Sequence, residues 1–163
     1  VSRYLLDANV FIQAKNLHYG FDFCPAFWAW IETKSKAGLV GSIEKVGDEL
    51  YSFGDELSDW AKHMGIAFFA APTPDVLPAL RKVGEWAISQ NYDPAASSAF
   101  MQVADCWLVA TALAVGATVV THEKPGSGSI KKIKIPDACV GLTIKCVTPY
   151  ELLRMEKANF VLG

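Results

Sequence analysis

The sequence contains neither a Cys-x-x-Cys pair nor a His-Glu-x-x-His run. Its four cysteines, Cys24, Cys106, Cys139 and Cys146, are scattered, which excludes a zinc knuckle and a thioredoxin-like redox motif and leaves them as small core residues. Histidine is scarce as well, with only His18, His63 and His122, none in paired spacing. Any metal must then sit on oxygen ligands, which favours magnesium, manganese or calcium over zinc. No apolar run is long enough to span a membrane. The opening Val1-Ser2-Arg3-Tyr4-Leu5-Leu6-Asp7 puts a carboxylate where a secretory signal needs an unbroken apolar stretch, so a cytoplasmic location without membrane partners is expected. An excess of positive charge is also missing. A net charge of −2 argues against binding nucleic acid by bulk electrostatics, although carboxylates that hold cations would themselves enter that total.

What the chain does have is apolar patterning. With 52% hydrophobic residues and a length that buries roughly 70% of the unfolded surface, it needs no disulfide or metal to fold. Neither a repeat nor a linker divides it, and residues 1–163 read as one domain. Tyr4-Leu5-Leu6 is a short strand, and Asn9 after it is placed to cap a helix begun by Val10, Phe11 and Ile12. Helical spacing follows from Pro25 to a stop at Gly38; residues 39–42 read as a second strand; Ile43, Val46, Leu50, Phe53, Leu57 and Trp60 make one amphipathic stripe. Residues 66–69 are a third strand candidate, residues 76–88 a helix, and residues 91–98 a polar stretch. The segment from Val103 to Leu113 is apolar nearly all round and must be buried on most sides. Residues 117–120 and 142–147 complete the strands, and a helix is expected at about 150–157. Alternating strands and helices predict an α/β fold, a mainly parallel sheet with right-handed crossovers, in which functional groups collect beyond the carboxyl ends of the strands. The 126–129 Gly-Ser run is a flexible loop.

Three carboxylates fall where such a fold places a site: Asp7 after the first strand, Glu123 after a later one, and Asp105 at the start of the buried helix. Singly they have plain meanings, Asp7 as a turn residue and Asp105 as a first-turn acid facing the helix dipole. Together they repel, by roughly 4 kcal/mol for a pair 4 Å apart at an effective dielectric of 20. A divalent cation compensates, and two ions about 3.5–4 Å apart can activate water and stabilise a leaving oxygen. The chemistry implied is phosphodiester hydrolysis.

Tyr4-Leu5-Leu6-Asp7-Ala8-Asn9, Asp48-Glu49-Leu50, Ala104-Asp105-Cys106-Trp107-Leu108-Val109-Ala110-Thr111-Ala112 and Val119-Val120-Thr121-His122-Glu123 follow one another in an order that resembles the PIN-domain nucleases over nearly the whole chain. The resemblance implies a Rossmann-like three-layer sandwich, metal-binding and catalytic roles for Asp7, Glu49, Asp105 and Glu123, polar support from Asn9 and Thr121, and Mg²⁺ or Mn²⁺ as cofactor. The chain looks closest to the PIN-like toxins of bacterial toxin–antitoxin operons, where T-x-E replaces T-x-D and an I-P-x-x-C segment, here Ile135 to Cys139, follows. An endoribonuclease with RNA as substrate, an antitoxin as partner and a homodimeric state are what that branch implies. Two departures stand out. Glu123 replaces the usual Asp, adding a methylene. The helix ligand is open among Glu44, Asp48 and Glu49, of which Glu49 with Leu50 fits the family's E-L pair best and Glu44 comes next.

Lys131, Lys132 and Lys134 form a basic cluster that is either a solvated loop or a contact for RNA phosphates. The tryptophans Trp28, Trp30, Trp60, Trp86 and Trp107 fall on apolar stripes and are read as packing residues, with Phe27-Trp28-Ala29-Trp30 dense enough to leave an exposed partner-binding patch. Two other functions compete with the nuclease. A haloacid-dehalogenase-type phosphotransferase also places Asp after a strand, but needs a second Asp where this chain has Asn9. A degenerate PIN-like domain would bind RNA or protein without cleaving.

Overall fold

A computed structural model describes residues 2–162. Strand β1 (Tyr4–Leu6) leads into α1 (Ala8–Gln13), which runs on as a π-helical turn (Ala14–His18), and then into α2 (Pro25–Lys36). Next come β2 (Val40–Ile43), α3 (Glu44–Tyr51), α4 (Glu56–Phe68) and β3 (Phe69–Ala70). Three helices, α5 (Val76–Ser89), α6 (Pro94–Gln102) and α7 (Ala104–Val115), precede β4 (Thr118–Val120); α8 (Ile135–Gly141), β5 (Cys146–Val147) and α9 (Pro149–Met155) close the chain.

The five strands form one sheet in the order β3-β2-β1-β4-β5, and every pairing is parallel, with Tyr4 beside Val40 and Thr118, and Leu6 beside Val120. Right-handed crossovers decide the layers. Stepping from β1 to β2 to β3 puts α1–α4 on one face, where α1, α3 and α4 touch. The return from β3 to β4 and β5 puts α5–α8 on the other, where α7 packs on α5, α6 and α8. The result is the expected three-layer α/β sandwich. Because β1 and β4 are covered on both faces, β1 is apolar at every position and β4 at every position after Thr118, rather than alternating, and Leu6, Val119 and Val120 are fully buried. Helix α7 is buried by its neighbours, as its all-round apolar sequence demands, and stops at Gly116, whose φ of +73° is accessible to glycine with little strain. No single helix among the described residues is long and apolar enough to cross a membrane.

Several elements differ from the sequence expectation. The third strand is only Phe69–Ala70, since α4 continues to Phe68 across a break at Gly65, where φ is +63°. The last strand shrinks to Cys146–Val147 because α8 ends at Gly141 and Thr143 takes a left-handed turn at φ +59°. The polar stretch at 91–98 is half helix: Pro94 opens α6 at a position that needs no N–H. Phe27 and Trp28 point into the core at 2% and 4% exposure, so α2 offers no exposed aromatic patch of the expected kind.

Helix α3 sits against the edge strand through Gly47, where an added Cβ would lie 2.9 Å from Cγ and 3.0 Å from Cβ of Phe69. Gly47→Ala is expected to destabilise the protein by about 1 kcal/mol, the overpacking outweighing the helix-propensity gain. Thermal unfolding checks this, and an alanine variant as stable as the parent would mean that Phe69 yields.

Candidate active site

The site begins where β1 ends. The Asp7 N–H donates to the Val120 carbonyl at 2.9 Å, continuing the ladder one residue beyond Leu6. The Asp7 side chain then turns over the start of α1, where Oδ1 accepts from the Ala8 N–H at 2.7 Å. Asp7 therefore caps the helix, and the expectation that Asn9 does so is corrected. Asn9 sits inside the first turn, which leaves its amide free to bridge to the end of β4: Nδ2 donates to Thr121 Oγ1 at 3.2 Å, and Oδ1 accepts from the His122 N–H at 3.1 Å.

Thr121 is buried between these groups. Its hydroxyl donates to Asp7 Oδ2 at 2.8 Å and accepts from the Glu123 N–H at 3.0 Å. Glu123 is held in turn by the next helix, its Oε1 accepting from the Ile135 N–H at 3.0 Å. The Ile135-Pro136-x-x-Cys139 segment thus opens α8 and orients a carboxylate twelve residues upstream of it.

Asp105, the second residue of α7, and Glu49 of α3 face a cleft of about 620 Å³ that Asp48, Lys45, Lys131 and Lys132 also line. Glu44 lies elsewhere, in a separate cavity of about 190 Å³ over β2 and β3. Of the acids after β2, Asp48 and Glu49 share the cleft with Asp105, and Glu44 does not. Lys134 precedes α8 and is not among the residues that line the cleft. Lys45 borders both cavities, its ammonium 4.8 Å from the centre of the Trp107 ring. No sequence signal marked Lys45, because its approach to Lys131 and Lys132 is made only by the fold.

Burial and mutual repulsion shift these acids. The Asp7 carboxyl is pushed up to about 7, by burial first and then by Asp105 and Glu123, against the hydrogen bonds from Thr121 and Ala8. Asp105 is pushed up to about 6 by burial, Glu123 and Glu49, with Lys132 pulling the other way. Glu49 has a largely exposed residue surface, yet the cleft wall desolvates its carboxyl enough to raise it too. Burial and the neighbouring His18 hold His122 below the usual imidazole range. Lysines line the cleft but none is in ion-pair contact: the ion pairs among the described residues, Lys15 with Asp55 and His63 with Glu32, involve none of these acids.

Among the described residues no three Asp, Glu, His or Cys side chains stand close enough to hold a metal ion as they are. The donor chemistry still fits a hard divalent cation, since the groups are carboxylates, a hydroxyl and an amide oxygen, and none of the acids is in an ion pair among the described residues. Of the four acids only Glu49 is exposed, Asp105 and Glu123 being half-buried and Asp7 buried.

A parallel sheet with carboxylates beyond its carboxyl edge defines the class: an α/β protein whose site lies at the strand ends. Within that class, a family model described as Domain of unknown function (DUF4411) matches residues 4–160, and the chain belongs to that family. No curated protein and no solved structure matches it.

Proposed function

We propose that the chain is a metal-dependent endoribonuclease acting in the cytoplasm. One observation carries the reading: Asp7, 5% exposed at the carboxyl edge of the sheet and in no ion pair among the described residues, feels the charges of Asp105 and Glu123, and Asp105 lines a cleft that also carries lysines. Buried charge persists when it is paired or coordinates metal. Asp7, Glu49, Asp105 and Glu123 would hold Mg²⁺ or Mn²⁺, which supplies a Lewis acid that makes water a stronger nucleophile and offsets charge on the phosphoryl oxygens. The remaining groups orient. Thr121 and the Ala8 N–H fix the Asp7 carboxylate, and the Ile135 N–H fixes Glu123 by one oxygen, the other having no hydrogen-bond partner among the described residues. In the reaction water adds to phosphorus, the phosphorus–oxygen ester bond breaks, and the leaving oxygen takes up a proton. The order of the four motifs supports a toxin of a toxin–antitoxin pair, with an antitoxin and a second copy of the chain as partners. The direct test is cleavage of single-stranded RNA with and without Mg²⁺ or Mn²⁺; an Asp7→Asn protein that cleaves like the parent would sink the proposal.

Lys45, Lys131 and Lys132 are the groups placed to meet phosphates. Each phosphate contact to a single strand adds about 0.7 to the slope of log affinity against log salt. Replacing all three by alanine is expected to weaken RNA binding similarly for unrelated sequences and to flatten that slope by about 2. A slope unchanged in a salt titration would exclude them from the binding surface.

A second reading, an RNA- or protein-binding module that does not cleave, is favoured by the acids standing too far apart to hold an ion without rearranging. RNA binding with neither cleavage nor a Mn²⁺-dependent rise in melting temperature would select it.

A further inference from the structure

Next to the carboxylates lies a second cluster that the hydrolytic chemistry does not use. Helix α1 widens into a π-helical turn at Ala14–His18, closed by a Tyr19 N–H to Ala14 carbonyl bond of 2.7 Å. Such turns are rare and recur at functional sites, where the extra residue re-aims a side chain. Here the turn ends on His18, whose Nε2 is 2.8 Å from the Tyr150 hydroxyl of α9 in a hydrogen bond. His122 completes a triangle of rings, with centroids 5.4 Å apart for His18 and His122, 5.5 Å for His18 and Tyr150, and 5.6 Å for His122 and Tyr150. The His122 backbone is tied to Asn9, and so to the network that fixes Asp7. Tyr150 is 38% exposed.

Strand order sets where this cluster stands. Lys45 follows β2, Asp7 follows β1, His122 follows β4, and Tyr150 follows β5. Lys45 and the rings therefore lie on opposite sides of Asp7 along the same edge, β2 and β5 being three strand spacings, or about 14 Å, apart, while Lys131 and Lys132, which follow β4, line the cleft with Lys45. Among the described residues no further His, Cys, Asp or Glu joins the two imidazoles to make a metal site. What the rings offer is flat π surface with hydrogen-bonding edges, the chemistry by which unstacked bases of single-stranded RNA are held.

We propose that His18, His122 and Tyr150 form a nucleobase platform that stacks the base beside the scissile phosphate, on the side away from the lysine-lined cleft. The proposal rests on the ribonuclease reading for its substrate. The platform accounts for the π-helical turn, because a regular helix would send residue 18 in another direction.

The test uses the full chain carrying Asp7→Asn, so that RNA is bound without turnover, and short single-stranded RNAs with 2-aminopurine at each position in turn. Stacking should quench the probe at one position. Tyr150→Ala and His18→Ala should each lose that quenching and weaken binding about tenfold, whereas Tyr150→Phe, which keeps the ring, should retain both. An abasic nucleotide at the quenched position should weaken binding comparably and add nothing to Tyr150→Ala. Unchanged quenching and affinity in both alanine variants would overturn the platform, as would a Tyr150→Phe loss equal to that of Tyr150→Ala, since the hydroxyl would then be the active group. The chain with Asp7 intact, incubated with the same RNAs and Mn²⁺, separates the two claims. Quenching without cleavage refutes the nuclease and leaves the platform; cleavage without a position-specific base effect refutes the platform alone; no RNA binding at all refutes both.

Discussion

Asp7→Asn is expected to lower metal-dependent RNA cleavage by at least about a thousandfold, since losing even an outer partner of a metal ligand costs about 10–100-fold, and to raise the melting temperature at pH 8. The two effects share one cause. Folding lifts the Asp7 carboxyl from 3.8 to about 7, so the ionised form is disfavoured in the native state by on the order of 4 kcal/mol. Asparagine removes that charge and keeps most of the geometry. Its Oδ1 can still cap α1 through the Ala8 N–H, and its amide can donate to Thr121, whose hydroxyl can turn to Asn9 Oδ1 at 3.5 Å. Part of the gain is lost in that rearrangement. At about 2–4 °C per kcal/mol for a chain of this size, a rise of several degrees is expected. The difference should shrink toward pH 5, where native Asp7 is already protonated, and vanish below about pH 4, where the unfolded chain is protonated as well. Loss of cleavage with a fall in melting temperature at pH 8 would instead make Asp7 a structural residue, and the nuclease assignment would lose its main support.

The parts of this arrangement that could be read in the sequence are those set by local rules. β1 and β4 are short apolar runs ending at a polar residue, and Gly38 and Gly116 mark helix ends by the backbone conformation they permit. Periodicity put β3 at 66–69, overlapping the strand only at Phe69, because a buried strand and a buried helix both read as a short apolar run and a strand of two residues leaves almost no pattern. Small residues hid α6, since Ala95, Ala96, Ser97 and Ser98 form no apolar stripe. For the acids, position after a strand singled out Asp7 and Glu123, while Asp105 stood out as a charge within an apolar helix. What the sequence could not supply was the third dimension: that Glu49 rather than Glu44 shares the cleft with Asp105, that Lys45 joins Lys131 and Lys132, and that a π-helical turn carries His18 to Tyr150.

The same carboxylates set how stability depends on pH, and a bound cation should oppose the trend. In the metal-free protein Asp7 and Asp105 have native values of about 7 and about 6 against a reference of 3.8. The native state therefore holds more protons than the unfolded state between about pH 4 and 7. Their stabilising contribution is full below about pH 4 and is lost as pH rises through 6 and 7. His122 works against this, because its lowered value makes stability rise with pH, but that contribution is complete by about pH 6.5 and comes from one group only. Metal-free protein should thus unfold at lower temperature at pH 8 than at pH 5. Mn²⁺ competes with the protons, so its effect should be small at pH 5 and largest at pH 8, reaching about 2.7 kcal/mol at a hundredfold excess over its dissociation constant. At about 2–4 °C per kcal/mol, that is a shift of about 5–11 °C, abolished by chelation. Asp7→Asn should remove both the pH trend above 6 and most of the Mn²⁺ response. Thermal unfolding at pH 5 and 8, with and without Mn²⁺, measures all of this; stability that rises with pH in the metal-free protein would show that burial and repulsion do not raise these acids. An absent Mn²⁺ response at pH 8 would leave that repulsion intact but uncompensated, and would favour a binding module over an enzyme.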